Sequence, residues 1–180
     1  MNDTDLDKYC TQAVQSGITE VKQINPETVV TAAWVRLKCQ FGCLGYDRSY
    51  SCPPNTPKAD ETRTILDSYN RAILFHIEAP HAEDRGKRIR EHYTMLTDME
   101  GNLFKEGYYK ALLFLSGPCR LCKECSYLNN DPCILRDRAR PSMEACGIDV
   151  YQTARNNGFP IETLSDRTQT QNHYCLMLID

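Results

Sequence analysis

A small α/β domain with two cysteine-rich metal-binding loops is the fold this sequence predicts, on three observations. Apolar, β-prone runs alternate with helical repeats along the chain. Two of those runs, 71–78 and 110–116, flank one long amphipathic stretch, which is the order of a βαβ unit. Seven of the ten cysteines fall in two segments punctuated by Gly and Pro that carry neither period. At 41% hydrophobic and 25% charged, residues 1–180 suffice for a single domain and are too apolar for disorder.

Leu6, Tyr9, Cys10, Ala13 and Val14 recur at helical spacing, and Gly17 stops that helix. Residues 18–24 alternate as a strand does, and Pro26 interrupts them. Residues 29–37, rich in β-branched side chains and holding the only Trp (Trp34), predict a second strand leading into Cys39. From 39 to 57 the chain reads as loop. Thr62, Ile65, Leu66 and Tyr69 mark a short helix, and 71–78 is the clearest buried strand. A helix over about 82–104 carries the apolar stripe Ile89, Tyr93, Leu96, Met99 and Leu103, with Gly107 beyond its end. With the strand 110–116 it forms the βαβ unit, which predicts parallel neighbours in a small mixed sheet. A helix over 149–157, closed by Gly158, and a last strand over 174–179 complete the set.

The tightest cysteine group reads C-x2-C-x2-C-x7-C: Cys119, Cys122, Cys125 and Cys133. Thiolates at every third residue let one short loop wrap an object with several corners, as a cubane iron–sulfur cluster is. A tetrahedral zinc more often takes two separated C-x2-C pairs. Cys133, behind Pro132, is the nearest fourth ligand, although in two-cluster ferredoxins the cysteine after the triplet serves the other cluster. Arg120, Lys123, Arg136, Arg138 and Arg140 surround this motif against Glu124, Asp131 and Asp137, either to balance an anionic cluster or simply as a solvated face.

The second group is Cys39-x3-Cys43-x8-Cys52, followed by Pro53-Pro54, with Gly42 and Gly45 leaving room for close backbone approach. Three thiolates leave one cluster position open, to be filled by Cys146, Cys10, Cys175, a His, Cys133, solvent or a substrate. A zinc site and a set of buried thiols also fit this group. Tyr46 stands where a radical-SAM spacing would need its third cysteine. Cys146, after the N-cap Ser142, reads equally as ligand or as core.

The remaining residues mostly exclude. A net charge of −3 gives no reason to expect nucleic-acid binding. The acidic N-terminus has no apolar signal region and no run approaches a membrane span, so the expected compartment is the cytoplasm, where thiols stay reduced. His76 reads as a core histidine, and none of His81, His92 and His173 has metal-pair spacing. No phosphate loop, nucleophile elbow or carboxylate pair is present, and Tyr46, Tyr50 and Tyr127 read as shields of a cysteine site.

The run Cys39, Gly42-Cys43, Tyr46, Ser49, Cys52-Pro53-Pro54 and Pro57 is followed by Cys119, Leu121-Cys122, Cys125, Pro132-Cys133 and Arg140-Pro141-Ser142-Met143-Glu144. Together these residues resemble an uncharacterised family of predicted metal-binding proteins found mainly in anaerobic archaea and bacteria. The resemblance covers about 34–150 and implies metal ligation by Cys39, Cys43, Cys52, Cys119, Cys122, Cys125 and Cys133, with Cys146 outside the pattern. It supplies no reaction. The leading expectation is a cytoplasmic protein with one or two [4Fe-4S] clusters that passes electrons to a redox partner, acidic where it docks. The alternatives are a metalloenzyme with an open iron at the Cys39 group and a structural zinc protein.

Overall fold

The computed structural model describes residues 5–166 and 168–180. In chain order it builds α1 (Asp7–Gln15), β1 (Glu20–Ile24), α2 (Ala33–Gly42), α3 (Ala59–Leu66), β2 (Ala72–Ala79), α4 (Arg85–Lys105), β3 (Leu112–Phe114), α5 (Val150–Asn156) and β4 (Gln171–Leu178). The strands form one sheet in the order β1-β2-β4-β3, and every strand pair is antiparallel.

Alternation explains why β2 and β4 are apolar throughout. Ile73, Phe75 and Ile77 of β2, with Cys175 and Met177 of β4, point to one face, where α1 supplies Tyr9 and Ala13 and α4 supplies Leu96, Met99 and Leu103. Ala72 and Leu74, with Tyr174, Leu176 and Leu178, point to the other, against Leu66 of α3, Ala154 of α5 and the segment carrying Met143, Cys146 and Ile148. Each fully buried Leu, Ile or Phe here contributes about 1.5–3 kcal/mol of transfer free energy. His76 joins the second face as a core histidine: it stacks on Tyr174 with ring centroids 4.9 Å apart and bonds Asn172 at 2.8 Å.

Two sequence expectations are corrected. The sheet is not mixed, and β2 and β3 are not neighbours. Both run antiparallel to β4, so they are parallel to each other with β4 inserted between them. A strand buried on both faces belongs inside the sheet, and β4 takes that place rather than closing an edge. A single parallel bridge, Leu115 with Ser142, lies outside the named strands. The second correction concerns 29–37. Its β-branched start makes only a bridge from Thr31 to Ile148, and the chain then turns into α2, where Ala33, Arg36, Leu37 and Lys38 are good helix formers.

Candidate metal centre

α2 delivers the first thiols. Cys39 sits in its last turn and Cys43 caps it, donating its N–H to the Cys39 carbonyl at 3.2 Å. The loop beyond is wound by its own backbone: Tyr46 bonds back to Cys43 at 3.2 Å, Cys52 to Ser49 at 3.3 Å, and Asp47, with φ +54°, donates to Pro53 at 2.7 Å. The Pro53–Pro54 bond is cis. The far end is fastened by Arg36 of α2, whose Nη1 donates to the carbonyls of Pro57 at 2.7 Å and Ala145 at 2.9 Å.

The second loop leaves the sheet after β3. Leu115 donates to Pro141 at 2.8 Å and Met143 donates to Leu115 at 2.9 Å, so both stems of the excursion are pinned side by side. Between them lies a short 3-10 turn, Ser126–Asn129. The Ser126 hydroxyl, directly after Cys125, donates to the Pro132 carbonyl at 2.9 Å and draws Cys125 toward Cys133.

Tyrosines clasp the two loops. Tyr50 and Tyr127 meet edge to face with centroids 5.1 Å apart. The Tyr50 hydroxyl donates to the Asp131 carbonyl at 2.8 Å, and the Tyr127 hydroxyl donates to Asp47. Each ring thus reaches from its own loop to the other. Against Tyr50 lies a cavity of about 580 Å³ whose wall holds Cys52 together with Cys119, Cys122, Cys125 and Cys133. Cys39 and Cys43 stand next to Cys52. A Cβ on Gly45 would lie 3.5 Å from Cys43 Sγ, 3.6 Å from Cys52 Sγ and 3.6 Å from Pro118 of the other loop. Gly45 is therefore where the cysteine groups approach each other.

Burial pushes the thiols of Cys39, Cys52 and Cys119 above their ordinary range, because a thiolate loses hydration there. Opposing donors surround the same sulfurs: Ser49 at Cys52, and the Leu121 N–H and Ser51 at Cys119. The Gly45 N–H donates to Cys43 Sγ at 3.4 Å. Such donors stabilise anionic sulfur and tune a bound metal. The other cysteines stand elsewhere. Cys146 and Cys175 are fully buried in the two cores, and Cys10 of α1 is half-buried against the first. Met143, rather than Ser142, is the N-cap of the turn Glu144–Cys146, and the Ser142 hydroxyl accepts from the Ala145 N–H at 3.1 Å.

A protein-family model described as "Predicted metal-binding protein (DUF2284)" matches residues 22–179. The chain belongs to this family. No curated protein and no solved structure matches the chain. In this DUF2284 protein the donor set suits a thiophilic metal centre, since the cavity wall combines five cysteines with N–H and O–H donors to sulfur. Among the described residues no three His, Cys, Asp or Glu side chains converge on one ion-sized point. The thiols are instead distributed around a cavity.

Sequence reasoning missed Glu144. Its Oε2 is buried without a hydrogen-bond partner among the described residues, and burial raises its carboxyl above the ordinary range. It lies within electrostatic reach of Cys39 and of Tyr93 of α4, behind the cysteine loops. One acid in a Pro-Ser-Met-Glu turn carries no local signal of burial.

Proposed function

We infer that this protein is an iron–sulfur electron carrier. Cys39, Cys43, Cys52, Cys119, Cys122, Cys125 and Cys133 hold one or two [4Fe-4S] clusters, and a partner protein in a reducing cytoplasm exchanges electrons with them. The observation that carries this reading is the shared cavity: Cys52 of the first loop faces the same space as all four cysteines of the second. A single tetrahedral ion needs its ligands on one point, whereas a cubane needs them at separated corners, and the distributed thiols suit the latter.

A bound cluster supplies reversible one-electron transfer. The residues do the rest. The Gly45 N–H and the donors at Cys52 and Cys119 stabilise negative charge on sulfur, and Arg48 and Lys123 line the cavity against one acid, Glu124. Tyr50, held in place by Tyr127, supplies part of the cavity wall. Leu44, Leu121 and Lys123, exposed on the cavity wall, offer an acidic partner apolar surface and a cation within short range of the cysteines.

Metal and acid-labile sulfide content, measured on protein purified without oxygen, tests the reading. Equal iron and sulfide at about four or about eight per chain, with brown colour and a reversible potential, is the expected result. Zinc without sulfide, in protein matured anaerobically with iron, would overturn it.

A further inference from the structure

A second cavity, of about 570 Å³, lies on the other side of Cys119. Arginines dominate its wall. Arg85 and Arg90 come from the first turns of α4, Arg120 from the cysteine loop, and Arg138 and Arg140 from the stem of that loop. No Asp or Glu lines it among the described residues. Arg138 and Arg140 are held from behind by Asp98 at 2.7 Å and Glu100 at 2.6 Å, which fixes their guanidinium groups. Arg90 and Arg120 have no hydrogen bond or ion pair among the described residues and are exposed. Among the described residues, the guanidinium groups of Arg90 and Arg120 therefore face a concave space with no carboxylate on its wall.

The rest of the wall is that of a ligand site. Ile89, Tyr93, Leu115 and Leu121 give it an apolar floor. His173 contributes one polar edge, fixed on both ring nitrogens by Ser116 at 3.1 Å and Gln171 at 3.2 Å. Its volume falls in the range of small-molecule sites, about 300–1,000 Å³. The N-terminal end of the α4 dipole adds to the positive potential.

The geometry points to this cavity as a binding site for a small anion bearing phosphate or carboxylate groups, seated between Arg90 and Arg120 and against the wall formed by Cys119. Planar guanidinium groups recognise both oxyanions through paired hydrogen bonds. A concave space of this volume takes a small molecule inside, whereas an acidic protein would meet only the exposed arginines. The binding itself does not depend on a cluster. That the occupant lies one side chain from a redox centre, which would make the protein an enzyme rather than only a carrier, rests on the iron–sulfur reading.

Calorimetric titration of the full chain, purified without oxygen, tests the site with pyrophosphate in one arm and citrate in the other. Binding of at least one, with Kd below about 1 mM, is expected. Arg90→Gln and Arg120→Gln should each weaken it about tenfold or more, since each removes a charge-assisted hydrogen bond. Arg136→Gln, on the same loop but outside the cavity, should change it less than about twofold. Far-UV dichroism establishes that each variant is folded. Failure of both anions to bind overturns the proposal, and so does an equal loss from Arg136→Gln. Binding of a polyglutamate peptide but of neither small anion overturns it in favour of a protein partner. Iron and sulfide are measured on the same samples: anion binding without iron sinks the cluster alone, and iron without anion binding sinks the pocket alone.

Discussion

Gly147→Ala should be among the most disruptive single-methyl changes in this protein. Gly147 follows the short turn Glu144–Cys146 with φ +77°, a conformation in which a Cβ costs about 1–2 kcal/mol. The added methyl would also stand 2.9 Å from Ala59 Cβ and 3.0 Å from Ala59 Cα, at the start of α3. Ala59 Cα is backbone and cannot rotate away, so α3 or the turn must shift, at about 1–3 kcal/mol for an overpacked site. The sum is about 2–5 kcal/mol, which for a chain of this size lowers Tm by about 5–15 °C. The strain reaches the metal site, because the Gly147 carbonyl accepts from the Ala32 N–H at 2.8 Å, immediately ahead of the helix that carries Cys39.

Thermal or urea unfolding followed by dichroism measures this, with Gly101→Ala as the control. Gly101 lies within α4, and a Cβ added there would meet nothing within 4 Å, so the same change should stabilise by about 0.5–1 kcal/mol. Wild-type stability in Gly147→Ala, or equal destabilisation in both variants, would refute the steric argument.

Three further outcomes follow from particular contacts. Glu100→Ala should cost about 3–5 kcal/mol in urea unfolding, because it leaves the half-buried Arg140 without its ion-pair partner, with only the Asp137 and Ala139 carbonyls to accept from it, and removes the acceptor of the Leu113 N–H on the outer edge of β3. His173, lowered to about 4 first by burial and then by Arg85 and Arg120, releases its proton on folding. Its contribution is complete above its ordinary value of 6.5 and is lost as pH falls toward 4, at most about 3 kcal/mol, so a stability–pH profile should slope upward across that window and flatten in His173→Gln. Gly45→Val should keep the fold by dichroism yet lose bound metal, since its branches would fill the space between Cys43 Sγ and Cys52 Sγ.

Elements with long uninterrupted periods were legible in the sequence. The stripe from Ile89 to Leu103 became α4, and the apolar run at 71–78 became β2. What was not legible depended on partners distant in sequence. The pairing of β4 between β2 and β3 is decided by which strand buries both faces, and no local window contains its neighbours. The helix α2 was hidden because Val29, Val30 and Thr31 favour extended chain, and only the following residues turn helical. At the site, the cysteine spacings identified both groups separately. Their convergence and the Tyr50–Tyr127 clasp arise from contacts between loops some eighty residues apart, for which spacing carries no information.

That convergence changes what a cysteine substitution should do. Had the loops formed separate centres, Cys52→Ser and Cys122→Ser would each remove one group's metal, and the double variant would lose the sum. Cys52 and Cys122 instead line one cavity, together with Cys119 and Cys125. The loops also hold each other through Tyr50 and Tyr127, so a loop that loses its metal loosens the clasp on the other. Each single variant should therefore lose most of the bound iron and the double variant little more, a non-additivity expected of residues that share one site. Iron per chain across wild type, both singles and the double decides it. Additive losses would mean that the two loops bind metal independently, and the shared cavity would then be only a neighbourhood of two separate centres.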